Sequence, residues 1–382
     1  MTHFLRDILR QPNELKRTID FLLGAGRPAL DAATTAIRSA RHVYLTGIGS
    51  SWHAALCAGT LFNLGTSPVY LYDAAELLEF AEFPTDAVII VISRSGRSVE
   101  IVKLLVKARE RGANVIAITN SAEGPLARGA LIPIAIPIEL DHAISVNTYS
   151  TLAATAGILA SAAVGTWSAS LAATLSASFA KTDAAISSWQ AQVADTAWLA
   201  PGAVTYFLAR GCSIGSCQEA RLLWEEGVKS PATAMNTGTF RHGPQEMVTA
   251  GVRFGIWIDG ERMRGQDLSV ARDLRKLSAA VMMIGQNVPQ DAGDLVFQLP
   301  SVPPGWQFLI DIIPAQLAAE KLARLSGVDS DTFRYCSFIV EDDYGLLPEE
   351  NSSPNERGSM TSPRTSEHGK IRFNRKSCDW RR

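Results

Sequence analysis

Residues 87–119 read AVIIVISRSGRSVEIVKLLVKARERGANVIAIT, and this stretch decides the fold class. It opens on a run of Val and Ile that is apolar on both faces (87–93). A polar loop follows, then a helical pattern over 98–111, then a second apolar run at 114–119. A strand that is apolar on both faces must be covered from both sides. A helix-length crossover joins two such strands in parallel. The stretch therefore predicts one βαβ unit of an α/β protein.

Working outward, similar runs stand at 43–49, 68–74 and 131–138, with helical patterns near 51–64 and 145–163. A long alanine-rich helical segment covers 171–197, and Pro201 follows it. The plan then repeats. Strand-like runs occupy 204–211, 254–259, 280–286 and 295–300. Helical patterns occupy 216–229 and 308–327, and Gly327 stops the last one. Two α/β units of similar size are expected, related by duplication in plan if not visibly in sequence.

Composition narrows the class. The chain has 382 residues, 47% hydrophobic and 19% charged, enough for a sizeable core and about two domains. A net charge of −2 gives no electrostatic case for nucleic acid or a membrane surface. The apolar stretch 151–165 is too short to span a bilayer, and the amino terminus mixes charges through its apolar positions, unlike a secretory signal. Five cysteines at 57, 212, 217, 336 and 378 form no disulfide framework and no metal-ligand spacing, so a reduced, cytoplasmic protein without a metal or cofactor is expected. Residues 351–382 carry a net +5 and no apolar run. They read as a disordered basic tail.

The polar loops carry the chemistry. In an open α/β sheet, ligands sit outside the carboxyl ends of the strands. There, SRSGRS presents Ser93, Ser95 and Ser98 around Gly96, with Arg94 and Arg97 between them, and a helix begins near Ser98. Converging hydroxyls and free first-turn amides suit a phosphate; an ordinary serine-capped helix has the same local pattern. LTGIGSSWHAAL puts Gly47, Gly49, Ser50 and Ser51 at a second strand end. It has neither the third glycine of a dinucleotide loop nor the Gly-Lys-Ser/Thr of a Walker loop, which favours a small phosphorylated ligand over a nucleotide. His53, on the helix that follows, reads as a helix-surface or interface residue.

In the second half, EARLLWEEGVKSP carries Glu219 and Glu226 seven apart on one helix face, and Glu225 off it. TFRHGPQE holds His242 before Gly-Pro, and an imidazole there suits proton transfer. Glu226 as a surface residue and His242 as a structural loop donor are the alternatives.

As an ordered set, these motifs resemble the sugar isomerase (SIS) family in its tandem-domain form. They are most similar to the isomerase half of the glutamine–fructose-6-phosphate aminotransferases. LRQPNELKRTI, GIGSSWHAAL, SRSGRSVE, SVNTYSTLAA, QEARLLWEE, FRHGP and LARLSGVDSDTFRYCSFIVE carry the resemblance, from about residue 4 to 345. It implies two tandem three-layer α/β/α SIS domains, each with a mainly parallel sheet. The first covers 1–168, with a helical segment at its start. A linking helix covers 169–198, the second domain 199–347 and the tail 348–382.

The resemblance also implies roles. Ser50, Ser51, Ser93, Arg94, Ser95 and Ser98 bind phosphate and sugar, with Glu219 beside them. Glu226 is the base that moves a proton between C1 and C2. His242 helps open the sugar ring and reaches the site from a neighbouring subunit, so a homodimer with shared sites is implied. Two departures stand out. Phe338 and Leu223 occupy positions where the family has lysines, the first of them the Schiff-base lysine. No glutamine-hydrolysing domain is expected ahead of the motifs. The expected activity is thus a glutamine-independent phosphosugar isomerase or amino-sugar-phosphate deaminase. A fructosamine-6-phosphate deglycase and a non-catalytic phosphosugar-binding protein are the alternatives.

Overall fold

A computed structural model describes residues 1–335, 338–343 and 345–346; the expected basic tail lies outside the described residues. The first sheet is built from β1 (Val43–Gly47), β2 (Val69–Asp73), β3 (Val88–Ser93), β4 (Asn114–Thr119) and β5 (Ile132–Ala135). The second is built from β6 (Thr205–Ala209), β7 (Ala232–Asn236), β8 (Arg253–Trp257), β9 (Ala280–Gly285) and β10 (Leu295–Gln298). Every strand pair is parallel. The first sheet runs β2-β1-β3-β4-β5 and the second β7-β6-β8-β9-β10, the same order counted from each sheet's first strand. The repeat expected from the sequence is thus a repeat of topology.

Twelve α-helices accompany these strands among the described residues. Before and within the first sheet lie α1 (His3–Leu23), α2 (Arg27–Ser39), α3 (Ser50–Phe62), α4 (Ala74–Glu79), α5 (Val99–Arg111) and α6 (Pro125–Gly129). Then come α7 (Asn147–Val164) and the long α8 (Ala169–Ala194). The second half adds α9 (Ile214–Leu223), α10 (Thr237–Phe240), α11 (Arg264–Lys276) and α12 (Ile313–Leu325).

The alternation in β3 shows why the sheets are covered on both faces. Ile90 and Ile92 point to one side and pack with α3 and α7 residues such as Ala54 and Leu152. Ile89 and Val91 point to the other, against Ile101, Leu104 and Ala108 of α5. Gly112, in a left-handed conformation at φ 74°, ends α5 and turns the chain into β4. The second sheet behaves alike: Phe254 and Ile256 face Ala271 and Leu274 of α11, while Trp257 faces inward. The inward faces of both sheets share one core, which includes Leu45, Ile90, Phe207 and Met282. The apolar stretch 151–165 lies largely in α7, a helix buried along most of its length. Its Ala, Thr and Ser residues let neighbouring helices approach closely. No helix among the described residues is long and apolar enough to cross a membrane.

β7 was not expected from the sequence. Its residues ATAMN are half-exposed at the sheet edge, so they lack the Val/Ile signature of the central strands.

Candidate active site

The first sheet reverses its order between β1 and β3, and the loops leaving those two strands meet there. After β3, the Ser93 hydroxyl oxygen accepts the Gly96 amide at 3.1 Å, and the Ser95 oxygen accepts the Arg97 amide at 3.2 Å. Each serine uses a lone pair to hold the loop and keeps its own proton to donate. Gly96 sits at φ 65°, and a Cβ there would come 2.8 Å from that of Leu126, so the turn requires glycine. The Arg94 guanidinium reaches the Ala143 carbonyl, the Ser145 hydroxyl and, at 2.5 Å, the Phe338 carbonyl.

After β1, the chain passes through Gly49 (φ 57°, ψ −132°) into α3, which starts at Ser50. Ser50 donates its hydroxyl proton to Glu219 Oε1 at 2.9 Å. The other Glu219 oxygen lies 2.7 Å from His53 Nδ1. Glu219 and His53 are both buried, so this carboxylate bridges α9 to α3.

Helix α9 does not continue as an α-helix. Residues Trp224–Val228 form a wider π turn, which ends at Lys229 in a left-handed conformation (φ 57°). Within this turn Glu226 faces a cavity of about 240 Å³ that Ser50, Ser51, Ser93, Arg94, Ser95 and Ser98 also line. Burial pushes the Glu226 carboxyl up to about 7. The nearby Glu219 adds to the rise, and Arg94 and Lys229 oppose it. The Lys229 ammonium donates to the backbone carbonyls of Glu226 and Thr332.

Seven of the nine expected site residues therefore share one cavity. The other two stand apart from it. Glu219 is a buried support behind Ser50 and does not line the cavity. His242 is exposed on the loop after α10 and is absent from the lining. His53, expected on a helix surface or at an interface, is buried against Glu219 where α3 meets α9. Sequence reasoning also missed one wall of the cavity. Phe333, Phe338 and Val340 close one side, and the Val340 carbonyl accepts the Val99 amide at the start of α5. Nothing in their spacing signals this, because their partners lie some 240 positions away.

Residues 36–163 match the model of the SIS domain. That stretch, about a third of the chain, is similar to a SIS domain. The match takes in both serine loops of the cavity, whereas Glu226 comes from the second, SIS-like half. Among curated proteins, the glutamine–fructose-6-phosphate aminotransferase (isomerizing) of Pyrobaculum aerophilum is 24% identical over 355 residues. That alignment covers 86% of this chain and 56% of the relative. The chain spans about half the length of the curated relatives it matches over most of its own length. Among solved structures, the C-terminal domain of the Francisella tularensis glucosamine-fructose-6-phosphate aminotransferase superposes with a TM-score of 0.76. It is 19% identical, covering 86% of this chain and 97% of that one. The Thermotoga maritima glucosamine-6-phosphate deaminase superposes with a TM-score of 0.74 at 20% identity, covering 89% and 99%. At these identities the superpositions establish the shared fold, two parallel sheets each covered by helices.

Proposed function

We propose that this chain is a phosphosugar isomerase or deaminase that transfers a proton between C1 and C2 of a hexose 6-phosphate. One observation carries the reading. A carboxyl raised to about 7 faces, across a single cavity, a set of serines whose protons are free to donate. A base poised near neutrality suits proton abstraction beside a carbonyl. The names of the similar proteins, an isomerizing aminotransferase and an amino-sugar-phosphate deaminase, fit that chemistry.

In this reading Ser51, Ser93, Ser95 and Ser98 hold the phosphate, with Arg94 contributing charge, and the grip positions the reacting carbons. The Ser50 proton is committed to Glu219, so Ser50 accepts a sugar hydroxyl and does not donate to phosphate. The Glu226 carboxylate takes the C2 proton of the open-chain sugar, the freed electron pair forms the C1–C2 double bond, and the carbonyl π pair moves onto O1, which takes a proton from water to give an enediol. Return of the proton to C1, with the O2 hydroxyl proton released to water as C2 becomes the carbonyl, gives the ketose. Where C2 bears an amine, the same transfer gives a ketimine, and water hydrolyses it to ketose and ammonia. The exposed His242 acts in ring opening at the site of a second copy, which makes the working unit a homodimer. The first domain, 1–168, supplies the phosphate grip. The helix 169–198 links it to the domain 199–347, which supplies the base. The free thiols Cys57, Cys212 and Cys217 favour a reducing, cytoplasmic setting.

The test is a panel of aldose, ketose, amino-sugar and fructosamine 6-phosphates in deuterated water, followed for C2 deuteration, ketose and ammonia together. Deuteration with ketose alone marks an isomerase, and stoichiometric ammonia marks a deaminase. Amine release from a fructosamine, with no turnover of the aldose, ketose or amino-sugar phosphates, marks a deglycase and ends the proposal, as does inertness to the whole panel. Mixing Glu226→Gln with His242→Asn should restore about a quarter of wild-type activity if sites are shared between subunits. No recovery removes the shared site.

A further inference from the structure

We propose that the second sheet carries a ligand site of its own, for an uncharged, hydroxyl-rich molecule of hexose size. The second sheet reverses its order between β6 and β8, as the first does between β1 and β3. A cavity of about 230 Å³ lies at that reversal, close in size to the 240 Å³ of the first. The backbone entering it is built alike: Gly211 (φ 53°) stands two residues past β6, as Gly49 (φ 57°) stands two past β1. Cys212 and Ser213 then occupy the places of Ser50 and Ser51.

The chemistry of the lining differs. The loop after β3 offers serines, whereas the loop after β8 offers Asp259 and Glu261. Two carboxylates repel a phosphate and cannot donate to it. They accept hydroxyl protons instead, Arg264 around them offers donors only, and the amides of Asn287 and Gln307 offer paired donors and acceptors. Val302, Pro303 and Pro304 supply an apolar wall for a carbon face.

Arg264, Gln307 and Ser213 are held in place before any ligand arrives. Arg264 donates to the carbonyls of Gln286 (2.9 Å) and Asn287 (2.5 Å), tying the loop after β8 to the loop after β9. Gln307 donates to the Ser213 hydroxyl at 3.3 Å, and Ser213 donates to the fully buried Asp311 at 2.6 Å. Side chains already fixed, as Arg264 and Gln307 are, lose little entropy on binding.

Calorimetry on the full chain with glucose, galactose, mannose, fructose, glucosamine and glucose 6-phosphate tests this. Gly260 lies in the lining with open space around its Cβ position, so Gly260→Leu adds bulk at the cavity without backbone strain. Glu261→Ala, at an exposed position, is a second variant that leaves the fold intact. At least one neutral hexose should bind near 1 mM (an order-of-magnitude value). That binding should persist in Ser95→Ala and weaken tenfold or more in both Gly260→Leu and Glu261→Ala. Absence of neutral-hexose binding, its survival in both variants, or its loss in Ser95→Ala overturns the proposal. So does binding confined to glucosamine, which would mark a cation site. Hexose 6-phosphate binding that depends on Ser95 reports on the first cavity alone, so the two readings fail separately.

Discussion

Replacing Glu226 by Gln should make the protein more stable at alkaline pH while abolishing proton exchange. The carboxyl rises from its ordinary 4.5 in an unfolded chain to about 7 in the fold, chiefly through burial and then through Glu219. Between those values the folded protein holds a proton that the unfolded chain has released. Wild-type stability therefore falls as pH rises from 4.5 to 7, and the loss is complete above that window. At 1.36 kcal/mol per pKa unit the full shift corresponds to about 3 kcal/mol. The cavity is open to water, so screening lowers the expected loss to about 1–3 kcal/mol. The glutamine amide has no such titration. Urea unfolding from pH 4 to 8.5 should give equal stabilities near pH 4 and an advantage of that size for the variant at pH 8. Asp311, also raised to about 7 by burial, titrates identically in both proteins and cancels in the difference. Two stability curves that stay parallel across the whole range would refute the reasoning, because Glu226 would then titrate alike in both states.

Four further outcomes follow from the same geometry. Glu219→Gln keeps the bridge between Ser50 and His53 but removes a negative charge near Glu226, so the acid limb of kcat/KM should move to lower pH; an unmoved limb contradicts the coupling. Glu219→Ala leaves the buried His53 unpaired and frees the half-buried Ser50, and should cost about 1–3 kcal/mol in denaturant unfolding. Ser95→Ala should raise KM for a hexose 6-phosphate about tenfold with little change for its unphosphorylated form, as measured by initial rates. Gly215→Ala should lower kcat more than it weakens phosphate binding, because a Cβ there would meet Cys57 Sγ and the His53 carbonyl at 2.3 Å and push α9 off α3.

Much of the fold was legible because the central strands are unusual in composition. VIIVIS of β3 is buried at every residue, and only a strand covered on both faces tolerates that pattern. The serine loops were legible for the complementary reason, since polar residues after such a strand have no packing role. Where burial is partial the signal fades. β7 is a half-exposed edge of Ala, Thr and Met, and α11 carries more charge than apolar periodicity. The site was legible to the extent that each residue's role is local. Glu226 and the serines could be named from their own segments. That Glu219 serves α3 and not the cavity depends on how two helices cross, and that Phe338 walls the cavity depends on a chain return from far away. Periodicity carries neither fact.

The two carboxylates of α9 show how local geometry divides labour. Seven positions apart on an unbroken α-helix, Glu219 and Glu226 would share a face, and both would point at α3. The wider turn at Trp224–Val228 inserts itself between them and swings Glu226 away from that face, a common use of π geometry at functional sites. One carboxylate is then spent on the helix contact, where Gly215 lets α9 approach the backbone of α3. The other is left to face the cavity. The serine grip and the base belong to different sheets, so their separation is fixed by this helix contact and not by the loops that carry them. Proton transfer between adjacent carbons tolerates little misplacement. A rigid α3–α9 seam beneath the cavity is therefore what allows a site split between two halves of the chain to act as one.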